Sequence, residues 1–345
     1  MDYTLSWDAD AGGIRYIDQT LLPGRCEPAL CTTIDCLARA IERLEIRGAP
    51  ALGIAGALGV ALAARTSPHE RMEAFLRDVR GAAEQLKSTR PTAVNLAWGI
   101  DRVLARIERA DSVDEARRSA VAEAEAVVRE DEESCRTLGQ HGAGLLPDPC
   151  TVLTHCNAGA LACRCWGTAL GVVRSAVRAG KQVRVIACET RPLHQGSRLT
   201  CWELARDGID VTAIPDSAAA YLMRKGGIDC VIVGADRITS DAVFNKIGTY
   251  MHAVAARYHA IPFYVAAPLS TFDAGRSEKD IVIEQRDRRE LAYCGDRQLL
   301  PEKVNVLNYA FDATPLSLVS AIITEEGVLR PPYDLLSRSG IGPAR

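Results

Sequence analysis

Two residues in this 345-residue sequence join a reactive group to a place where a fold can present it: Cys156, in the run THCNAG, and Asp236, in the run VGADRI. A thiol serves as base or nucleophile when its surroundings favour the thiolate, and a carboxyl donates a proton near neutral pH when desolvation raises its pKa. Each has a bland reading. Among twelve cysteines, Cys156 reads as a small buried hydrophobe, and Asp236 as a cap or a partner for Arg237. The functional reading rests on position. Cys156 stands between the end of an apolar run and a glycine-containing helix start whose amides can stabilise a thiolate, with Asn157 and Gly159 supplying a cap and close ligand approach. Asp236 directly follows an all-apolar run, CVIVGA, which implies partial desolvation.

A second set of residues could bind a phosphate. Arg47-Gly48-Ala49, Arg90 beside Pro91-Thr92, Gln195-Gly196 and Asn245-Lys246-Ile247-Gly248 each join a cation or amide donor to small residues. A dianion needs this combination of charge and exposed backbone N–H groups. Arginine beside glycine is also the ordinary composition of a solvated turn, so each run alone is weak. Neither GxxxxGK[ST] nor GxGxxG occurs, which leaves nucleotide use without support.

These residues must be placed by elements, and the grammar beyond Pro149 suits the task. TVLTH, QVRVIAC, DVTAI, DCVIVGAD, IPFYVAA and VNVLN are short apolar runs separated mainly by helical spacing, which predicts parallel strands with helical crossovers. In such a sheet ligands lie beyond the carboxyl ends of the strands. Four of these ends deliver polar groups: Cys156-Asn157, Glu189-Thr190-Arg191, Pro215-Asp216-Ser217 and Asp236-Arg237. The N-terminal part reads differently. A strand or hairpin is expected around IRYIDQT, then a helix from Thr33 with Ile34, Leu37, Ile41 and Leu44 on one face and Gly48 and Pro50 closing it. GIAGALGVALAA predicts an apolar helix, and Ser112 with Glu115 a capping box that opens a long helix with Val113, Ala116, Ala124 and Val128 on its apolar face. The expected architecture is α/β, with a mainly helical domain over residues 1–130 carrying a few strands and a Rossmann-like parallel-sheet domain over 131–345.

Composition bounds the function. With 48% apolar and 25% charged residues and a formal net charge of −3, the chain has globular composition and no electrostatic footprint for nucleic acid or an anionic membrane. No uninterrupted apolar stretch reaches the roughly 18 residues of a membrane span, and the N-terminus lacks signal-peptide grammar. A cytoplasmic location is expected, with thiols kept free in a reducing compartment. Cys163 and Cys165 lack the nearby ligands of a zinc site, so no metal is expected. Trp98, Trp166 and Met223 read equally as core or as ligand contacts.

At these same residues the sequence resembles a known family, that of methylthioribose-1-phosphate isomerase and the regulatory alpha, beta and delta subunits of translation initiation factor 2B. The matching runs are IRGAPALGIAGALG, RPTAVNLAWGI, THCNAGALA, ETRPLHQGSRLTCWEL, VGADRI, NKIGTY, IPFYVAAPLSTFD and FDATPLSLVSAIITEEGV, in order over most of the chain. The resemblance implies an aldose–ketose isomerase of methionine salvage, without cofactor, acting on a sugar phosphate as a homodimer. It implies Cys156 and Asp236 as catalytic residues and Arg47, Gly48, Ala49, Arg90, Gln195, Asn245 and Lys246 as substrate-binding residues. Three departures from the family pattern stand out: TSDAVF at 239–244 is shorter than the usual loop, Cys188 precedes Glu189 where an acid is more usual, and Pro215-Asp216-Ser217-Ala218 varies a site-facing turn. Two other readings stay open: isomerisation of a related sugar phosphate such as 5-deoxyribose 1-phosphate or ribose 1,5-bisphosphate, and a non-catalytic regulatory subunit.

Overall fold

A computed structural model describes residues 3–333. The chain opens with three antiparallel strands, β1 (Leu5–Asp8), β2 (Gly13–Ile17) and β3 (Pro28–Cys31). Helix α1 (Ile34–Glu42) follows, its N-cap Thr33 accepting from the Cys36 amide. This helix ends earlier than its apolar spacing predicts, because Leu44 takes a left-handed backbone, φ 61°. Cys31 and Cys36 are disulfide-bonded with Cα atoms 5.4 Å apart, which corrects the expectation that all thiols stay free. The turn from β3 into α1 brings two cysteines five residues apart face to face.

Helix α2 (Ala49–Thr66) is the centre of the helical half, surrounded by α3 (Met72–Thr89), α4 (Val94–Ile107) and α5 (Val113–Ala143). Among the described residues it is the one helix long and apolar enough to cross a membrane, yet 83% of it is buried in the core. Small residues make that burial feasible. A Cβ on Gly99 of α4 would stand 2.0 Å from the Gly53 carbonyl oxygen of α2, so the two backbones approach as only glycine permits. Ser112 caps α5 by accepting from the Glu115 amide, while the Glu115 carboxylate accepts from Asp111 N–H, not from the Ser112 amide of a capping box. The 31 residues of α5 pass from one core to the next: Val113 to Val128 pack in the first, Leu138 and Ala143 in the second.

The second half holds β4 (Cys150–Thr154), α6 (Ala169–Arg178), β5 (Val183–Cys188), α7 (Cys201–Arg206), β6 (Asp210–Ile214), α8 (Ala219–Arg224), β7 (Cys230–Val233), β8 (Arg237–Ile238), β9 (Ala242–Lys246), α9 (Thr249–Tyr258) and β10 (Phe263–Ala266). After it come α10 (Arg288–Ala292), β11 (Tyr293–Cys294), β12 (Arg297–Gln298), β13 (Phe311–Pro315), β14 (Ala321–Thr324) and β15 (Gly327–Leu329). The main sheet runs β6-β5-β4-β7-β10-β14-β15, parallel except for β15. Counted within this half, that is the doubly wound order 3-2-1-4-5-6 of a Rossmann-type sheet. Its direction reverses between β4 and β7, the switch point where such sheets bind ligands. A small antiparallel sheet, β13-β9-β8, stands beside this point.

Five of the six expected strands form; VNVLN does not. Residues 304–308 are irregular, with Val304 and Leu307 exposed, and they belong to a long excursion between β10 and β13. The sheet's next parallel strand is AIIT, β14, whose four residues are fully buried. Met223 lies in the core beneath the sheet, and Trp98 and Trp166 pack against the edges of other cores.

Candidate active site

The chain leaves β4 at Thr154 and reaches Cys156 with φ 63°, a left-handed conformation that side chains tolerate poorly and that concentrates at functional sites. Surrounding bonds fix it. The Cys156 N–H donates to Thr190 Oγ1 at 2.8 Å, and its carbonyl accepts from Thr200 Oγ1 at 2.7 Å. The expected helix start is displaced: Asn157 to Gly159 lead into a short turn, and α6 begins only at Ala169. The thiol is therefore not held by a helix N-terminus. Burial pushes its pKa up, opposed by Arg47, Lys246 and the Asn157 amide.

Asp236 follows β7 across the switch point, with its N–H donating to the Phe244 carbonyl. Its carboxyl is raised above the ordinary range by desolvation, with Lys246, Arg47 and Arg90 pulling the other way. Lys246 ends β9, and the small sheet buries it; its Nζ donates to Ala310 O at 2.7 Å, and desolvation lowers its pKa. Acid, thiol and cations thus share one desolvated volume in which their charges act strongly on each other.

The helical half supplies the opposite wall. Gly48 and Ala49 open α2, so the amides of an 18-residue helix face the cleft beside Arg47, a ready arrangement for an anion. Gly48 has φ 97°, and a Cβ there would meet Ala162 Cα at 2.5 Å. Arg47 is held in place by Asn157, donating to its Oδ1 at 2.8 Å and its carbonyl at 2.9 Å. Asn157 donates in turn to Glu203, which is paired with Arg174 at 2.7 Å. Arg90 lies just beyond α3, 3.5 Å from Glu284. Gln195 precedes a π-helical turn, Gly196–Thr200, a feature frequent at functional sites.

All nine residues singled out from the sequence, Arg47, Gly48, Ala49, Arg90, Cys156, Gln195, Asp236, Asn245 and Lys246, line one cleft. Gln195 Oε1 and Arg90 Nε are buried without a protein partner, so the cleft carries both an acceptor and a donor that a polar ligand can satisfy. Sequence reasoning missed part of the lining. Leu44, Leu52, Leu193 and Phe311 add an apolar surface, and Arg286 a further cation. Arg286 is neutralised by Glu284 at 2.8 Å and Glu290 at 2.6 Å. No motif in DIVIEQRDRRE announces it.

The profile of the Initiation factor 2 subunit family matches residues 45–331. The chain belongs to this family. Methylthioribose-1-phosphate isomerase of Desulforudis audaxviator is 50% identical to it over 97% of each chain. The crystal structure of 5-methylthioribose 1-phosphate isomerase from Pyrococcus horikoshii superposes with a TM-score of 0.90 at 42% identity, covering 98% of this family member and 95% of that chain. The Archaeoglobus fulgidus protein whose crystal structure is described as translation initiation factor eIF-2B, subunit delta, is 56% identical with a TM-score of 0.86, covering 97% and 98%. Two functional descriptions therefore attach to close relatives within one family.

Proposed function

We propose that this protein is an aldose–ketose isomerase that converts 5-methylthioribose 1-phosphate to 5-methylthioribulose 1-phosphate in methionine salvage. The observation that carries the reading is the single cleft in which a buried carboxyl, a buried thiol and cations from both halves of the chain converge. Isomerases as relatives over nearly the full length support it. A phosphate on the anomeric carbon blocks spontaneous ring opening, so an acid must assist cleavage of the ring C–O bond. Asp236 protonates the ring oxygen as the C1–O bond breaks and Cys156, as the thiolate, takes the C2 proton. The resulting C1–C2 enol then receives that proton at C1 from the Cys156 thiol while its 2-hydroxyl returns a proton to Asp236, leaving the 2-ketone. Arg47, Arg90, Lys246 and the first amides of α2 hold the phosphate. Gln195 and Asn245 position the sugar, and no redox cofactor is required.

The apolar wall of Leu44, Leu52, Leu193 and Phe311 favours a methylthio or deoxy substituent at C5 over a second phosphate, because the additional cation, Arg286, is already balanced by two carboxylates. Side-by-side turnover of methylthioribose 1-phosphate, 5-deoxyribose 1-phosphate and ribose 1,5-bisphosphate tests this; preference for the bisphosphate sinks it. The regulatory reading draws support from the description of the Archaeoglobus fulgidus relative. Cys156→Ser and Asp236→Asn each should lower kcat/KM by about 10²–10⁴, and near-wild-type turnover in both would remove the catalytic assignment. Solvent deuterium in the product distinguishes the proton route from a fully conservative hydride shift.

The assembly we infer is a cytoplasmic homodimer. Ten of the twelve cysteines are free, which supports the reducing setting, while the bonded pair Cys31–Cys36 counts against it. Tyr250, Met251, Val254 and Tyr258 form an exposed apolar stripe along α9, which supports pairing through the sheet half.

A further inference from the structure

Beside Cys156 lies a group of side chains that the proposed reaction does not use. His155 follows β4, Cys188 ends β5, Asp216 follows β6 and His252 stands on α9. The three strands are neighbours, so their carboxyl ends bring the first three residues together and α9 closes over them. One donor atom from each of the four lies within 4.8 Å of all the others. His155, Cys188 and His252 are buried.

The bonds around these residues are those of metal ligands with their outer partners. His155 Nε2 donates to the Ile247 carbonyl at 2.8 Å, which leaves the Nδ1 lone pair facing the cluster. That Nδ1 is 3.2 Å from His252 Nε2 and 3.8 Å from Asp216 Oδ1. A tetrahedral zinc with bonds of about 2.0–2.2 Å to nitrogen and oxygen separates two such ligands by about 3.3 Å. Asp216 is oriented by the Thr190 and Arg191 amides, each donating to one of its oxygens at 2.8 Å. Outer-sphere bonds of this kind, ring N–H to carbonyl and amide to carboxylate, typically fix ligands around a metal. Burial holds both imidazoles neutral, His155 down to about 4 and His252 down to about 3.

We propose that His155, Cys188, Asp216 and His252 bind one divalent cation of the zinc class in a closed, structural site. Two nitrogens, one sulfur and one oxygen suit zinc, with cobalt(II) as a spectroscopic substitute. Binding displaces the Cys188 thiol proton to solvent and moves the His252 ring proton to Nδ1. Thiolate and carboxylate then balance the 2+ charge, so the buried site is neutral. Four protein ligands leave no open position for substrate or water. The site would instead tie the ends of β4, β5 and β6 to α9 and hold Thr190, whose Oγ1 accepts from the Cys156 amide.

The whole protein, expressed with zinc and dialysed against metal-free buffer, should retain about one equivalent of zinc per chain by elemental analysis. The cobalt(II) form should show a thiolate-to-cobalt charge-transfer band and the intense visible bands of tetrahedral cobalt. Cys188→Ser should abolish the charge-transfer band and His252→Leu the bound equivalent, while Cys163→Ser and Cys294→Ser keep both. Asp216→Asn, a near-isosteric change that preserves packing, should weaken zinc binding at least tenfold with an unchanged circular dichroism spectrum. Substoichiometric metal in the wild type, a cobalt spectrum without the charge-transfer band, or an equivalent retained by Cys188→Ser and lost with Cys163→Ser would each overturn the proposal.

Discussion

At the scale of single residues, the cleft works through burial opposed by charge. Desolvation raises the Asp236 carboxyl while Lys246, Arg47 and Arg90 restrain the rise, with Glu284 adding to it. A raised carboxyl pKa means that, as pH falls, Asp236 takes up its proton at a higher pH than an ordinary carboxyl near 3.8. As pH rises through the range in which an exposed aspartate loses its proton, Asp236 should keep its own longer. The protonated-carboxyl band in an infrared difference spectrum of wild type against Asp236→Asn should persist to higher pH than that of an exposed aspartate; a band lost at or below the ordinary aspartate range would contradict an acid role. Cys156 and Asp236 were legible in the sequence because each directly follows an apolar strand. Leu44 and Arg286 were not. Leu44 enters the cleft only because α1 stops short in a left-handed residue, and Arg286 comes from an excursion whose charges resemble any solvated loop.

At the scale of elements, the sequence identifies strands where an apolar run finds a partner strand, even at the exposed edge formed by β6, and fails where a run is apolar but unpartnered. VNVLN has strand composition, but no sheet edge receives it, whereas AIIT inserts beside β10. Helix α2 illustrates the opposite case, in which composition and packing agree. Its glycines are contact surfaces, and Gly99→Ala should force α4 off α2 because the new methyl would overlap the Gly53 carbonyl. A loss of about 1–3 kcal/mol is expected, read as a lower urea midpoint at unchanged slope. The four residues proposed as metal ligands were not legible as a set, though Cys188 and Asp216 stood out singly. They come from four separate segments, and only the strand order β6-β5-β4 makes them neighbours.

At the scale of the whole molecule, the exposed stripe on α9 and the long helix α5 carry separate consequences. Val254→Asp combined with Tyr258→Asp should convert the inferred dimer to a monomer in sedimentation analysis, and an unchanged sedimentation coefficient would place the interface elsewhere. Helix α5 is about 46 Å long by its 31 residues. One end is packed into the helical core and the other into the sheet core, with no break between them. The two halves therefore share a continuous hydrogen-bonded backbone instead of a linker. Calorimetry should record one cooperative melting event for both halves, with van't Hoff and calorimetric enthalpies in agreement after allowance for subunit dissociation. A proline at Glu133, between the two packed stretches, should split that event in two. In mechanical terms α5 is an axle, and the separation between Arg47 and Asp236 across the cleft is a dimension machined into it.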